Sequence, residues 1–133
     1  MHDQRMSTIF NEERLSRLFP KDKADSFFDA LYGDANEGAY DIKLVFNGDA
    51  PDHLAFEFHL TQRPGKCLAC NLTYGLPEVF QRHPVINIKH LVQEIEACLE
   101  GRIQVTDWKL LNTQELSGEL HVIPLVISFK PTR

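Results

Sequence analysis

Residues 41–60, DIKLVFNGDAPDHLAFEFHL, alternate between apolar and polar side chains in two runs. The first run contains Ile42, Leu44 and Phe46, and the second contains Leu54, Phe56, Phe58 and Leu60. Alternation of period two is typical of strands that bury one face. Because Asn47-Gly48-Asp49 is a turn sequence, the stretch predicts an antiparallel hairpin.

A third alternating run follows the turn sequence Pro64-Gly65 and consists of Leu68, Cys70, Leu72 and Tyr74. Three consecutive antiparallel strands are therefore expected at this point of the chain. Residues 75–86 contain one glycine and two prolines, so they are predicted to form an irregular connection.

The best helical pattern covers residues 88–100, with Asn87 as the predicted N-cap and Gly101 as the stop. Its apolar face consists of Ile88, Leu91, Val92, Ile95 and Leu99. This amphipathic helix is expected to pack on one face of the sheet, because a single apolar stripe has to be buried against another element.

Two further strands are predicted over 102–111 and 119–130, joined by a loop that ends in Ser117-Gly118. The apolar parity changes within the first of them, which predicts a bulge near Thr106-Asp107. Pro124 lies inside the second, which predicts an edge position or another bulge for that strand.

The N-terminal part, residues 1–33, reads as a helical arm. Asn11 is placed to cap a first short helix, and residues 24–31 carry apolar side chains at helical spacing before Gly33. The prediction is a single α+β domain over 1–133, with the arm followed by a sheet plus helix over 41–130. The sheet is expected to be five-stranded and mainly antiparallel, in the order β-β-β-α-β-β.

This element order resembles that of small acidic bacterial secretion chaperones, which combine a sheet and a helix into a dimer. The resemblance lies in the order of elements alone, without a shared motif, and it implies self-association.

The composition excludes several classes of function. The chain has 133 residues, of which 14 are basic and 19 are acidic, giving a net charge of −5. An acidic domain favours neither nucleic acid nor an anionic membrane. No apolar run approaches the 18 or so residues of a membrane span, and no secretory signal is recognisable. With three cysteines, an odd number, the sequence predicts a cytoplasmic protein with reduced thiols.

The cysteine pair Cys67-x-x-Cys70 has the spacing of a zinc knuckle, and His83 follows Cys70 at the C-x2-C-x12-H distance of a zinc finger. Pro84 and the separation of His83 from His90 break the rest of that pattern. Zinc is therefore a hypothesis for Cys67, Cys70 and His83, beside the alternative that the cysteines are small buried thiols and no cofactor is bound.

On the polar face of the second strand, His53, Glu57 and His59 form a candidate surface site. Such side chains bind a metal or move a proton if a third group, such as His121 or Cys67, converges on them. The same face carries Val45, Ala55, Ala69 and Thr73, which suggests that the N-terminal helices or a second subunit cover part of it.

Three functions follow, in order of preference. The first is a small cytosolic, non-enzymatic binding or assembly domain that acts as a homodimer. The second is a structural zinc module centred on Cys67 and Cys70. The third is a small enzyme or ligand-binding protein that uses His53, Glu57 and His59, although no phosphate loop, dinucleotide fingerprint or nucleophile elbow accompanies these residues.

Overall fold

The computed structural model describes residues 8–32, 40–65 and 76–131. Its elements are α1 (Glu12–Leu18), α2 (Lys23–Tyr32), β1 (Tyr40–Ala50), β2 (His53–Gln62), α3 (Leu76–Arg82), α4 (Ile88–Cys98), β3 (Ile103–Leu110), β4 (Gln114–Ser117) and β5 (Leu120–Pro131). The predicted α+β class and the five-stranded antiparallel sheet are confirmed.

The strands lie in the order β1-β2-β5-β3, and β4 pairs with β5 on the same side as β3. The last strand of the chain is therefore central, between the hairpin and β3 with β4. The predicted loop before Ser117 contains β4, because four exposed residues without alternation gave no strand pattern. The strand predicted over 68–74 lies outside the described residues.

The β1–β2 hairpin closes at Pro51-Asp52, and the turn predicted at Asn47-Gly48-Asp49 was wrong. Ala50 pairs with His53, so the connection consists of the two residues Pro51 and Asp52. The Asn47-Gly48 signal instead marks an irregularity in the register between Phe46 and Asp49, where Gly48 has a positive φ of 116°.

The connection predicted over 75–86 was wrong for residues 76–82, which form α3. Pro77 lies in the first turn of this helix, where an N–H would have no intrahelical partner. Pro84 lies beyond its end. The helix predicted from residue 88 is confirmed as α4, with the Asn87 side chain accepting a hydrogen bond from the backbone N–H of His90 at 3.3 Å.

The predicted bulge in β3 is confirmed by a register shift between Val105 and Asp107. The edge position predicted from Pro124 was wrong, since β5 is central. The backbone N–H of Leu111 donates to the carbonyl of Pro124 at 2.9 Å, so the nitrogen of Pro124 points to the same side. Leu111 lies opposite Pro124 just beyond the end of β3, so the one ladder hydrogen bond that proline cannot donate is missing at the break between β3 and β4.

All the described helices bury their side chains on one face of the sheet, in a single core. The ring of Phe19, just after α1, lies 5.3 Å from that of Phe58 in β2, and Phe80 of α3 lies 5.6 Å from the same ring. The apolar face of α4 belongs to the same cluster. The suggestion that the N-terminal helices cover the opposite face was therefore wrong.

Within the described ranges no helix is long and apolar enough to cross a membrane, and the longest, α4, has 11 residues.

Candidate functional site

The sheet face that lies opposite the helices is called the outer face here. Its central positions combine apolar and polar side chains on three adjacent strands: Lys43 and Val45 on β1, His53, Ala55, Glu57 and His59 on β2, and Val122, Pro124, Val126 and Ser128 on β5. Most of these residues are half-buried by their own neighbours on the sheet.

The structure brings Glu57 and His59 together on this face. Oε1 of Glu57 lies 2.9 Å from Nε2 of His59, and its Oε2 accepts a hydrogen bond from the side-chain amide of Asn47 at 3.1 Å. Both side chains of the pair are about a quarter exposed, at 23% for Glu57 and 27% for His59. A carboxylate that orients an imidazole in this way is part of a proton-transfer arrangement, but the pair still needs a reacting group beside it.

The other members of the predicted surface site do not join this pair. His53 lies four residues from Glu57, roughly 13 Å along the strand, and its Nδ1 contacts Oδ1 of Asp52 at 2.9 Å. His121, considered as a third group, points to the core face, where it is 1% exposed and lies 4.0 Å from Glu115. His53 and His121 therefore both lie apart from the Glu57–His59 pair.

Of the predicted zinc ligands, Cys67 and Cys70 lie outside the described residues. His83 lies between α3 and α4, where its Nδ1 accepts a hydrogen bond from the backbone N–H of Val85 at 3.2 Å. Its ring packs edge-on against Phe27 at 4.8 Å. His83 therefore caps the turn between α3 and α4. In the described part of the chain no three His, Cys, Asp or Glu side chains form a metal-binding group.

A groove lies between α1 and β1, and sequence reasoning did not find it. A cavity of about 410 Å³ lies at one end and a cavity of about 280 Å³ at the other, and both contain Glu12, Leu15, Lys43 and Leu44. We call this feature the edge groove, because β1 is an outer strand of the described sheet. Its larger cavity falls in the usual size range of ligand-binding clefts.

The hydrogen-bond pattern shows which backbone groups of β1 point into the edge groove. Gln62 of β2 donates its N–H to the carbonyl of Glu119. The backbone N–H and C=O groups of even-numbered residues in β2 therefore point to β5, and those of odd-numbered residues point to β1. By the register of the hairpin, the backbone groups of Asp41, Lys43 and Val45 then point to β2. The N–H and C=O groups of Ile42 and Leu44 point outward, and no partner strand for them exists among the described residues.

An ion pair crosses this edge. Lys43 projects to the outer face, yet its Nζ lies 3.1 Å from Oε2 of Glu12 on α1, so its side chain passes around the strand. Both side chains are well exposed, at 61% and 84%, whereas Ile42 and Leu44 beside them are buried. The two charged side chains therefore lie beside the buried floor of the groove and line both of its cavities.

Comparisons with known proteins gave no match: no family model fits the sequence, and no curated protein or solved structure is significantly similar. Function is therefore inferred from the geometry above. The edge groove was missed because nothing local in residues 41–46 indicates whether a strand lies at an edge. Its one sequence signal is the pair of opposite charges, Asp41 and Lys43, on either side of Ile42.

Proposed function

We propose that this protein is a non-enzymatic, cytoplasmic binding and assembly domain that acts as a homodimer through the outer edge of β1. The observation that carries the proposal is the edge groove, where the outward backbone groups of Ile42 and Leu44 lie beside α1. Backbone N–H and C=O groups at a sheet edge are best satisfied by another extended strand.

The charges near the edge support a protein occupant. The edge groove is lined by Glu12 and Asp41 together with Lys21 and Lys43, so it is locally balanced although the whole chain carries −5. A second acidic copy is therefore not repelled at this position. The Glu12–Lys43 pair offers little resistance, because exposed ion pairs contribute only about 0–1 kcal/mol.

The oligomeric state and the protection of the edge test this proposal. At tens of micromolar, light scattering is expected to give twice the chain mass of 15.3 kDa. Amide hydrogen exchange at Ile42 and Leu44 should slow as the protein is concentrated, while exchange at exposed Thr106 on the opposite edge should not change. A monomer at these concentrations, or a dimer without protection at Ile42 and Leu44, contradicts the proposal.

A small enzyme or ligand-binding protein at His53, Glu57 and His59 is the second candidate, favoured by the 2.9 Å contact between Glu57 and His59. Titration with Zn²⁺ and Ni²⁺, followed by NMR of the histidine rings, tests it. Saturable shifts at His59 that disappear in Glu57→Gln support this candidate, and unchanged spectra remove its metal-binding form.

The structural zinc module at Cys67 and Cys70 remains a third proposal. Metal analysis of protein purified without added zinc, followed by chelation, tests it directly. About one zinc per chain and loss of the folded spectrum on chelation support it, because structural zinc contributes to folding. A metal-free and fully folded protein contradicts it.

A further inference from the structure

We infer that two copies of β1 pair antiparallel about a twofold axis at Ile42, and that Asp41 and Lys43 determine this register. The inference rests on the proposed function, because it specifies how the second copy occupies the edge groove. Each Asp41 then lies opposite Lys43 of the second copy, so two pairs of opposite charge flank the axis.

The backbone limits the registers that are available. Ile42 and Leu44 direct their N–H and C=O groups outward, so they form the hydrogen-bonded positions of any antiparallel pairing along this edge. Asp41, Lys43 and Val45 then occupy the non-hydrogen-bonded positions, where opposing Cα atoms approach to about 4.5 Å. Side chains at these positions lie closest together and dominate the choice of register.

The charges distinguish the remaining registers. An axis at Lys43 places Lys43 opposite Lys43 of the second copy, and an axis at Asp41 does the same with two carboxylates; both arrangements are repulsive. An axis at Leu44 leaves Lys43 opposite Val45 and gains no ion pair. An axis at Ile42 alone among these places Lys43 opposite Asp41, twice by symmetry.

The contacts within one chain are compatible with this exchange of partners. Lys43 contacts Glu12 through an exposed ion pair, and breaking such a pair requires little free energy. Asp41 accepts from Nε of Arg63 at 3.0 Å through Oδ1, and a carboxylate has further acceptor positions for an ammonium group. Asp41 is also about half exposed, with 45% of its side chain accessible.

The same axis positions the grooves. A twofold axis perpendicular to the sheet places α1 of both copies on the same side, so the two edge grooves face each other across the new strand pair. The five-stranded sheet of each copy then continues into the other. The buried floor residues Leu15 and Leu44 become part of the interface without changing face.

Charge reversal tests the register. Lys43→Glu places a new carboxylate opposite Asp41 on both sides of the axis, and dimerisation is expected to weaken roughly 10-fold to 100-fold. Asp41→Lys should weaken it similarly, by placing two lysines opposite each other. An equimolar mixture of Lys43→Glu and Asp41→Lys should recover a dimer of near wild-type affinity, because both opposing pairs in the mixed dimer are again of opposite sign.

The control is Lys109→Glu, which reverses an exposed lysine on the outer face of β3 at the other edge and should leave dimerisation unchanged. Circular dichroism confirms that each variant is folded. If Asp41→Lys fails to fold through its contact with Arg63, salt replaces the mixture: about 1 M NaCl should weaken the wild-type dimer and strengthen that of Lys43→Glu, since it screens both attraction and repulsion.

The outcomes separate this inference from the proposed function. A monomeric wild-type protein overturns both. A wild-type dimer that protects Ile42 and Leu44 but whose affinity is unaffected by Lys43→Glu retains the proposed function and overturns the register. Weakening by Lys43→Glu without recovery in the mixture, or with further weakening in high salt, also overturns the register.

Discussion

The two outer edges of the described sheet differ in how regular they are. The edge formed by β3 and β4 has a bulge between Val105 and Asp107, a gap over residues 111–113 and a further irregularity between Glu115 and Ser117. The β1 edge pairs regularly with β2 from Tyr40 to Phe46. Bulges and interruptions are the usual means by which a protein prevents edge-to-edge pairing.

The exposure of apolar side chains does not match this difference in regularity between the two edges. Leu116, on the irregular edge, is 60% exposed, whereas Ile42 and Leu44 on the regular edge are buried. A patch defined by hydrophobicity alone would therefore select the β4 side and not the β1 edge that we propose. Backbone regularity, which depends on bulges and breaks, is therefore the property on which our proposal for β1 rests.

The largest expected effect comes from the aromatic contacts that hold the segment before α1 beside β1. The ring of Phe10 lies 5.4 Å from Phe46 and 5.1 Å from Phe56, and Phe10 is buried. Phe10→Ala is expected to lower the free energy of unfolding by about 3–5 kcal/mol, measured by urea denaturation. Hydrogen exchange should accelerate more in β1 than in β3, and equal acceleration at both edges contradicts a local role.

A smaller effect is expected at Arg63, which joins α2 to the start of β1. Its guanidinium contacts Asp25 at 2.7 Å and Asp41 at 3.0 Å, and lies over the ring of Phe28. Arg63→Met keeps the apolar stem but removes the charge, so unfolding should become easier by about 1–2 kcal/mol. Arg82→Met, at an exposed pair within α3, is the matched control and should change stability by less than about 0.5 kcal/mol. Equal effects of the two variants would show that the Arg63 contacts add nothing to an exposed pair.

Deleting Thr106 would remove the extra residue of the β3 bulge and make β3 itself regular. Val105 and Asp107 would then alternate between faces without a break, as strand residues normally do. We expect a smaller change in monomer stability than at Arg63 but new, concentration-dependent association in light scattering. A deletion variant with unchanged association would show that the bulge does not protect this edge.

The smallest effect is expected from Leu116→Ser on the irregular edge. Because its side chain is mostly solvated already, stability should change by no more than about 0.5 kcal/mol. Dimer affinity should also stay unchanged, measured beside wild type by sedimentation. A loss of dimer in this variant would transfer the interface from β1 to the β4 side.

Much of the local structure was predictable because its signals are periodic. The alternation from Ile42 to Leu60 predicted both hairpin strands, and the parity change in β3 predicted its bulge. The helix α3 was not predictable in the same way. Its prolines read as breakers, although Pro77 lies in the first turn, where proline is well tolerated.

The candidate sites were less predictable, because they depend on residues far apart in the chain. Glu57 and His59 share a face by spacing alone, and the structure brings them together. His121 was expected to be available to them, but its position in β5 places it on the core face. The edge groove combines α1 with β1 across some thirty residues, as the Glu12–Lys43 contact shows.

The sequence by itself determined which faces of its strands and helices are apolar, because side-chain periodicity is a local property of each element. Only the tertiary structure decided that β5 inserts between β2 and β3. That insertion makes β1 an outer strand of the described sheet and turns the nitrogen of Pro124 toward a gap. The order of strands depends on pairing between distant segments, and the position of a strand at an edge follows from that order.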